Sequence, residues 1–345
     1  MARRGLWGEE KGKKMPLHTL DDIEALTKQA LTAYGAAPFV AAEVARAVRV
    51  AEGYGNKICG LYYVESYCLQ LETGRVDGRA VPGVTTPRPA AIHVNANYGF
   101  AQPAFAHGLV PALDAAKTLG TATLAVGHAH TCTSLGYFTE QIAQSGCIGI
   151  GFTNASPIVA APGGKTRVIG TNPIAFSVPD GAGGVAMQFD QSTTTVALGK
   201  ITMAKALGQH IPLGWALDAQ GQPTTDPQAA LEGSLVSVGE HKGWGFGLMA
   251  EILAAGMTGS VLSGSVKPLK APQGPPHDLG QFYILIDPQS GEAFAERLAA
   301  LSQAATKDEG ARMPGQSRQI MQKVEVVDQV WDRLLELAQG PTPSE

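Results

Sequence analysis

Apolar positions recur at helical intervals through residues 18–50. Leu26, Ala30, Leu31 and Tyr34 share one face, and Thr19 precedes them as an N-cap with Asp22 at the capping-box position. Pro38 opens a second helix that carries Val40, Val44, Ala47 and Val48, and the spacing predicts a third over 62–71. Turn residues crowd 74–89 and mark a boundary. From about 91 to 285 the pattern changes to short β-type runs at 91–94, 121–126, 148–153, 174–178, 185–189 and 282–286. Helical segments fall between some of them, at 103–119, 135–145, 196–207 and 245–257. Residues 268–280 form a Pro/Gly-rich surface loop, and helical spacing returns at 291–306 and 324–338. The expected organisation is an extended start (1–14), a helical lobe drawn from both ends (15–85 with 290–340) and a mixed α/β middle (86–289). No internal repeat is present.

The chain has 345 residues, 44% of them apolar and 16% charged, which is a globular composition long enough for a large core. A net charge of −4 implies no basic face, so nucleic acid is not an expected partner. Cys59, Cys68, Cys132 and Cys147 form no C-x-x-C pair, so neither a metal site nor a disulfide framework is expected. Scattered thiols fit a reducing cytoplasm. The first fourteen residues are basic without an apolar core and read as an extended start rather than a signal peptide, with Met15 a second candidate start. No apolar run reaches membrane-span length; the richest, 146–161, is broken by Thr153, Asn154, Ser156 and Pro157.

The G-x-G-x-x-G dinucleotide fingerprint is absent. The glycines at 146, 149 and 151 lie inside a strand-like run and lack the strand-turn-helix context. Four other segments stand out. Residues 162–179, PGGKTRVIGTNPIAFSVP, place three glycines and the polar turn Thr171-Asn172-Pro173 before an apolar strand; a hairpin-like connection explains them equally well. Residues 189–200, FDQSTTTVALGK, put Asp190 and a run of hydroxyls before a helix, which suits either an anion or a simple N-cap. DAQGQPTTDP at 218–227 is followed by His241-Lys242 in a glycine-rich turn, a cationic pair able to hold phosphates or a ribose. Arg312 and Arg318 share a turn that could grip a phosphate or stand solvated.

Taken together and in this order, these segments resemble the type-2 malate/L-lactate dehydrogenase family, over about residues 16–320. PGGKTRVIGTNPIAF and DAQGQPTTDP with EHKGWG are the specific parts. GFAQPAFAHGL (99–109) and ARMPGQSR (311–318) are similar to the Δ1-piperideine-2-carboxylate/Δ1-pyrroline-2-carboxylate reductase branch. The resemblance implies an α/β fold that is not a Rossmann fold: a central cofactor domain, a helical lobe built from both termini, and a homodimer with sites near the interface. It implies a nicotinamide cofactor, with NADP(H) favoured and NAD(H) possible, and a small-molecule substrate. Cofactor contacts carry over to Thr131, Cys132, Thr133, Ser134, Leu135, Asp190, Gln191, Ser192, His241, Lys242, Arg312 and Arg318. Substrate contacts carry over to Ile58, Tyr62, Tyr63, His130 and Thr171, and Gly199-Lys200 is kept with Lys200 as a catalytic candidate.

The departures fall at the chemistry. The family's Ser-His-Gly-x-x-Arg reads Ile58-Cys59-Gly60-Leu61-Tyr62-Tyr63, so Cys59 stands for the proton-donating histidine and Tyr63 for the carboxylate-gripping arginine. Asn-Ser-x-His reads His128-Ala129-His130-Thr131, with the histidine one position early. Three functions follow. One is a reductase of a cyclic imine or 2-keto/2-imino acid, with Tyr63 or Cys59 supplying a proton, and with either a substrate that is not a simple carboxylate or a carboxylate held by another cation such as Lys57 or Lys200. The second is non-redox lyase, isomerase or covalent Cys59 chemistry. The third is nucleotide binding without turnover.

Overall fold

The computed structural model describes residues 15–291 and 293–341. Its first helix, α1 (Leu20–Ala33), starts where the capping signal places it, with the Thr19 hydroxyl accepting from the Asp22 N–H at 3.1 Å. Proline opens α2 (Pro38–Gly53). The predicted 62–71 helix is shorter: α3 runs Val64–Glu72, behind two 3-10 turns, Lys57–Cys59 and Leu61–Tyr63. Gly60 separates the turns with ψ at −130°, outside the helical range. The Leu61 N–H there donates to buried Glu52 Oε1 at 2.8 Å, and a Cβ on Gly60 would overlap that carboxylate.

The remaining helices are α4 (Ala101–Leu119), α5 (Gly136–Gln144), α6 (Leu198–Ala206), α7 (Pro227–Glu232), α8 (His241–Glu251), α9 (Phe294–Ala305) and α10 (Asp328–Ala338). A seven-stranded sheet has the spatial order Gly83–Arg88, Ala91–Asn95, Thr121–Ala129, Leu279–Ile286, Ile148–Thr153, Ile174–Pro179, Val185–Gln191. Only the Ala91–Asn95/Thr121–Ala129 pair is parallel, so this is not the doubly wound parallel sheet of a Rossmann fold. All six predicted strands are present. The seventh, Gly83–Arg88, is exposed along its whole length, so it carries no burial alternation to read.

Successive residues of Leu279–Ile286 face opposite ways, as strand geometry requires. Tyr283 and Leu285 join Phe105, Phe138 and Leu124 under α4 and α5, whereas Phe282 packs with Phe152 and Ala250 on the α8 side. A third core joins Leu20, Ile23, Val44, Val64 and Tyr67 to Val324, Leu334 and Leu337 from the other end of the chain. The strand Leu17–Thr19 pairs antiparallel with Lys323–Glu325 and fixes that closure. By contrast, α9 buries no residue. A fourth, smaller core links α6 and α7 to a five-stranded sheet of two- and three-residue strands. Among the described residues no helix is long and apolar enough to cross a membrane.

Candidate active site

The two 3-10 turns before α3 carry Ile58 to α6, Cys59 to the end of Val185–Gln191 and Tyr63 to the ring of Tyr67. Cys59 is partly exposed as a residue, but its thiol is packed in and lies in the field of Asp190. Burial, then the Asp190 charge, pushes it up to about 12, while a hydrogen bond from the Asn56 side chain works the other way. Tyr63 stacks on Tyr67 with centroids 5.7 Å apart, and burial pushes its phenol to about 12 as well, with Cys59 adding to the rise. Exposed Ile58 reaches α6, where a Cβ on Gly199 would lie 3.8 Å from its Cδ1. Tyr62 is also exposed and meets Tyr63 edge-on.

The floor of this cleft is the start of α5. The Asp190 carboxylate accepts from the Gly136 N–H at 2.7 Å and the Ser134 hydroxyl at 3.3 Å, so it occupies the helix N-terminus itself. The residue edge is exposed, yet its carboxyl group is packed in, and burial raises its pKa against those hydrogen bonds and Arg318. The Arg318 guanidinium stacks 3.9 Å over the Tyr54 ring, and Tyr54 donates to Glu140 at 2.5 Å. Cys59, Asn56, Ser134, Asp190 and Arg318 therefore come together from four segments. Arg312, expected to act with Arg318, is exposed and makes no hydrogen bond or ion pair among the described residues.

A second polar group adjoins the first. After exposed Gln191, the Ser192 and Thr194 hydroxyls bond at 2.9 Å, and Thr193 donates twice to the Thr171 carbonyl, at 2.9 and 3.0 Å. Thr193 and Thr195 also exchange backbone bonds with Val236 and Val238. That ladder leads into the first turn of α8, which carries exposed His241 and Lys242 and which no side chain caps. Gly245 faces open space, so backbone there is approachable. An uncapped helix start bearing two potential cations fits a phosphate group, in contrast to α5, whose start Asp190 already fills. Lys200 is exposed, its ammonium 6.0 Å from the Trp215 ring centre.

Several expected ligands are placed differently. His130 is 2% exposed, stacked 3.8 Å from His277 and 4.9 Å from Phe100, so it offers no surface to a substrate. Its Nε2 lies 2.6 Å from Gln70 Oε1, and Gln70 Nε2 donates onward to the Leu269 and Ala271 carbonyls. The Cys132 thiol and Leu135 side chain belong to the core under α5, which leaves only their backbone for a ligand. Thr131 donates its N–H to His277, and Thr133 turns back onto the Cys132 carbonyl. Lys57 is committed to the Glu325 carbonyl at 2.8 Å. The residues missed in the sequence, Asn56, Tyr54, Gln70, Arg75 and Lys270, carry no local periodic or motif signal that links them to the cleft.

The malate/L-lactate dehydrogenase family model matches residues 18–334. A (2R)-3-sulfolactate dehydrogenase (NADP(+)) of Chromohalobacter salexigens is 37% identical over 306 residues, 88% of this chain and 91% of that protein. A Δ1-pyrroline-2-carboxylate/Δ1-piperideine-2-carboxylate reductase of Pseudomonas syringae pv. tomato is 34% identical over 296 residues, 85% of this chain and 86% of that protein. The crystal structure of a Δ1-piperideine-2-carboxylate reductase from the same organism superposes with a TM-score of 0.85 at 31% identity, covering 93% of this chain and 99% of that one. The sulfolactate dehydrogenase of Methanocaldococcus jannaschii gives a TM-score of 0.86 at 26% identity, covering 94% and 97%. With its fold and nearly its whole length matched, the chain belongs to the malate/L-lactate dehydrogenase family.

Proposed function

We propose that this protein is an NADP(H)-dependent oxidoreductase that reduces the C=N bond of a cyclic 2-imino carboxylate. One observation carries the choice of C=N over C=O: Cys59 and Tyr63, which stand where the family has its proton-donating histidine and its arginine, are both pushed up to about 12 and stay protonated at neutral pH. Neither is a base, and neither is a strong acid. A ketone must be protonated as hydride arrives, and a well-matched acid is worth about 10²–10⁴ in rate there. A protonated imine already carries that proton, so hydride addition at carbon completes the amine and the thiol and phenol need only orient it. The same pKa positions oppose covalent chemistry at Cys59, because the nucleophile is the thiolate.

The nicotinamide supplies the hydride when bound. His241, Lys242 and the open first turn of α8 would hold phosphate, with Ser192 and Arg318 as further polar contacts and Lys200 at the mouth. The relative named for NADP(+) favours the phosphorylated dinucleotide. A homodimer is part of the proposal: Phe246, Met249 and Ile252 are exposed at helical spacing along α8 and its extension, an apolar face suited to a second copy.

Calorimetry with NADPH, followed by steady-state assays with Δ1-pyrroline-2-carboxylate, Δ1-piperideine-2-carboxylate, pyruvate and oxaloacetate, tests this reading. Imines should be turned over and ketones poorly. Reduction of pyruvate or oxaloacetate with kcat/KM of about 10⁴ M⁻¹s⁻¹ or above would refute it.

A further inference from the structure

A carboxylate substrate needs a cation, and the cleft does not obtain one from the turn that carries Tyr63. Lys57 bonds a backbone carbonyl, Arg46 and Arg49 are paired with glutamates, Arg318 lies on Tyr54 in the field of Asp190, and Lys200 stands exposed on α6, 6.0 Å from the Trp215 ring centre. Lys270 is the one that lies against the two tyrosines themselves. Its ammonium sits 2.8 Å from the Tyr62 ring centre and 4.6 Å from that of Tyr63, and among the described residues it pairs with no carboxylate. Its one hydrogen bond is long, 3.4 Å to the Tyr62 carbonyl. On its other side it lines a cavity of about 380 Å³ between α3 and α10, which takes in Tyr62 but neither Tyr63 nor Cys59, and where the other charged groups, Glu65 and Arg333, pair with each other at 2.9 Å.

The loop that carries Lys270 is held unusually firmly. Arg75, 2% exposed, pairs with no carboxylate among the described residues and donates through Nε and Nη1 to the Pro268, Ala271 and Pro275 carbonyls. Gln70 donates to the Leu269 and Ala271 carbonyls, and Thr73 to that of Pro272. Burying a guanidinium against neutral carbonyls is costly and needs a compensating return. Here its partners bracket Lys270 on both sides. All three anchoring residues stand on α3 or just beyond it, the element that begins immediately after Tyr63, so the lysine and the tyrosines are fixed in one frame.

We propose that Lys270 binds the substrate carboxylate, delivered over the Tyr62–Tyr63 ring pair by its anchored loop, so that the positive charge enters the cleft from a distant segment instead of from the turn. This deepens the reading of the chain as a reductase of imino carboxylates. The rings hold the ammonium by its electrostatic attraction to their faces and leave N–H groups free for an anion. Unlike a guanidinium, the ammonium makes a point contact rather than a planar fork, which suits a substrate oriented by ring stacking.

Calorimetry with pyrrole-2-carboxylate and its carboxamide, on the full-length protein with saturating NADP+, is the test. Wild type should bind the carboxylate at least about tenfold more tightly than the carboxamide. Lys270→Met, which keeps the apolar cover on the rings, should erase that difference, and Lys270→Arg should restore most of it. Equal carboxylate affinity in wild type and Lys270→Met overturns the assignment, as does a wild type that does not discriminate between the two ligands. Failure of the reductase reading shows separately, as carboxylate binding that depends on Lys270 without imine turnover. Where turnover is present, Lys270→Met should raise KM at least about tenfold with kcat little changed.

Discussion

Cys59 should react with iodoacetamide well below the rate of a free cysteine. The residue is partly exposed but its thiol is packed in, so restricted access adds to the effect of ionisation, which sets the least slowing expected. An unperturbed thiol, with a pKa of about 8.5, is roughly one-quarter thiolate at pH 8. Burial and the Asp190 charge place Cys59 at about 12, which leaves about one molecule in ten thousand ionised. The ratio, roughly 2,000, is partly offset because a more basic thiolate is the better nucleophile, by about 25- to 60-fold for a Brønsted slope of ~0.4–0.5. The net expectation is a rate roughly 40- to 100-fold below that of a cysteine-containing peptide. Nothing local reverses this. The nearby start of α5 is already filled by the Asp190 carboxylate, and the Lys57 ammonium is bound to the Glu325 carbonyl. Mass spectrometry of the 59-containing peptide over time, with Cys59→Ser as control, gives the rate. The log rate should climb with pH without a plateau up to about pH 10. Modification within about threefold of the free peptide at pH 8 would show a stabilised thiolate, and the argument for a neutral donor would fail.

Three further outcomes are expected. Gly60→Ala should cost about 1–3 kcal/mol, because its Cβ displaces Glu52 from the Leu61 N–H and strands a buried carboxylate; urea unfolding measures it, and a change under about 0.5 kcal/mol would contradict the packing described. Acid should destabilise the fold through His130 and His277, which burial keeps neutral, His277 down to about 3. Their folded pKa values are depressed, so the unfolded chain takes up protons that the folded one refuses, and stability falls as pH drops below about 6.5. The slope is about 1.4 kcal/mol per pH unit for each histidine. Unfolding curves at pH 7.5 and 5 read the slope, and His277→Gln should remove about half of it. Finally, light scattering at micromolar concentration should report a dimer that Phe246→Glu with Ile252→Glu converts to monomer; a wild-type monomer would end that proposal.

The strands of the sheet were legible because each buries a face on a fixed period, as the Phe282/Tyr283 alternation illustrates. The exposed edge strand Gly83–Arg88 buries nothing and gave no pattern. Apolar spacing alone extended the third helix to residue 62, because the break depends on a carboxylate eight residues upstream of Gly60 reaching the Leu61 N–H. In the candidate site, motif order pointed to Cys59, Tyr63, Ser134 and Asp190, of which the structure brings Cys59, Ser134 and Asp190 together. Reading His130 as a ligand failed because its polar loop folds under α3, where stacking with His277 and a bond to Gln70 satisfy it. Lys270 was invisible for a different reason. It lies about 200 residues from the tyrosines in a loop without period, and only the Arg75 and Gln70 anchors show why that loop is shaped.

Those anchors change what His130 contributes. Gln70 spends its amide N–H groups on the Leu269 and Ala271 carbonyls, so its oxygen is the acceptor, and His130 Nε2 must carry the proton. Thr131 donates to His277 Nδ1, which likewise fixes the proton of that ring on Nε2. Two neutral imidazoles of defined tautomer, stacked at 3.8 Å, thus back the glutamine that shapes the Lys270 loop. Protonating either ring would add a charge in a buried stack beside Arg75, which already depresses both. The histidine expected to touch substrate therefore acts two bonds away, by holding the glutamine's orientation. In the proposed reaction this divides the labour that one histidine–arginine pair would perform. Protonated Cys59 and Tyr63 take the places of that pair, Lys270 receives the carboxylate, and neither the thiol nor the phenol is a base at neutral pH. An alcohol could not give up its proton to either of them as hydride leaves, whereas a neutral amine need not, so these two groups favour C–N over C–O chemistry in either direction.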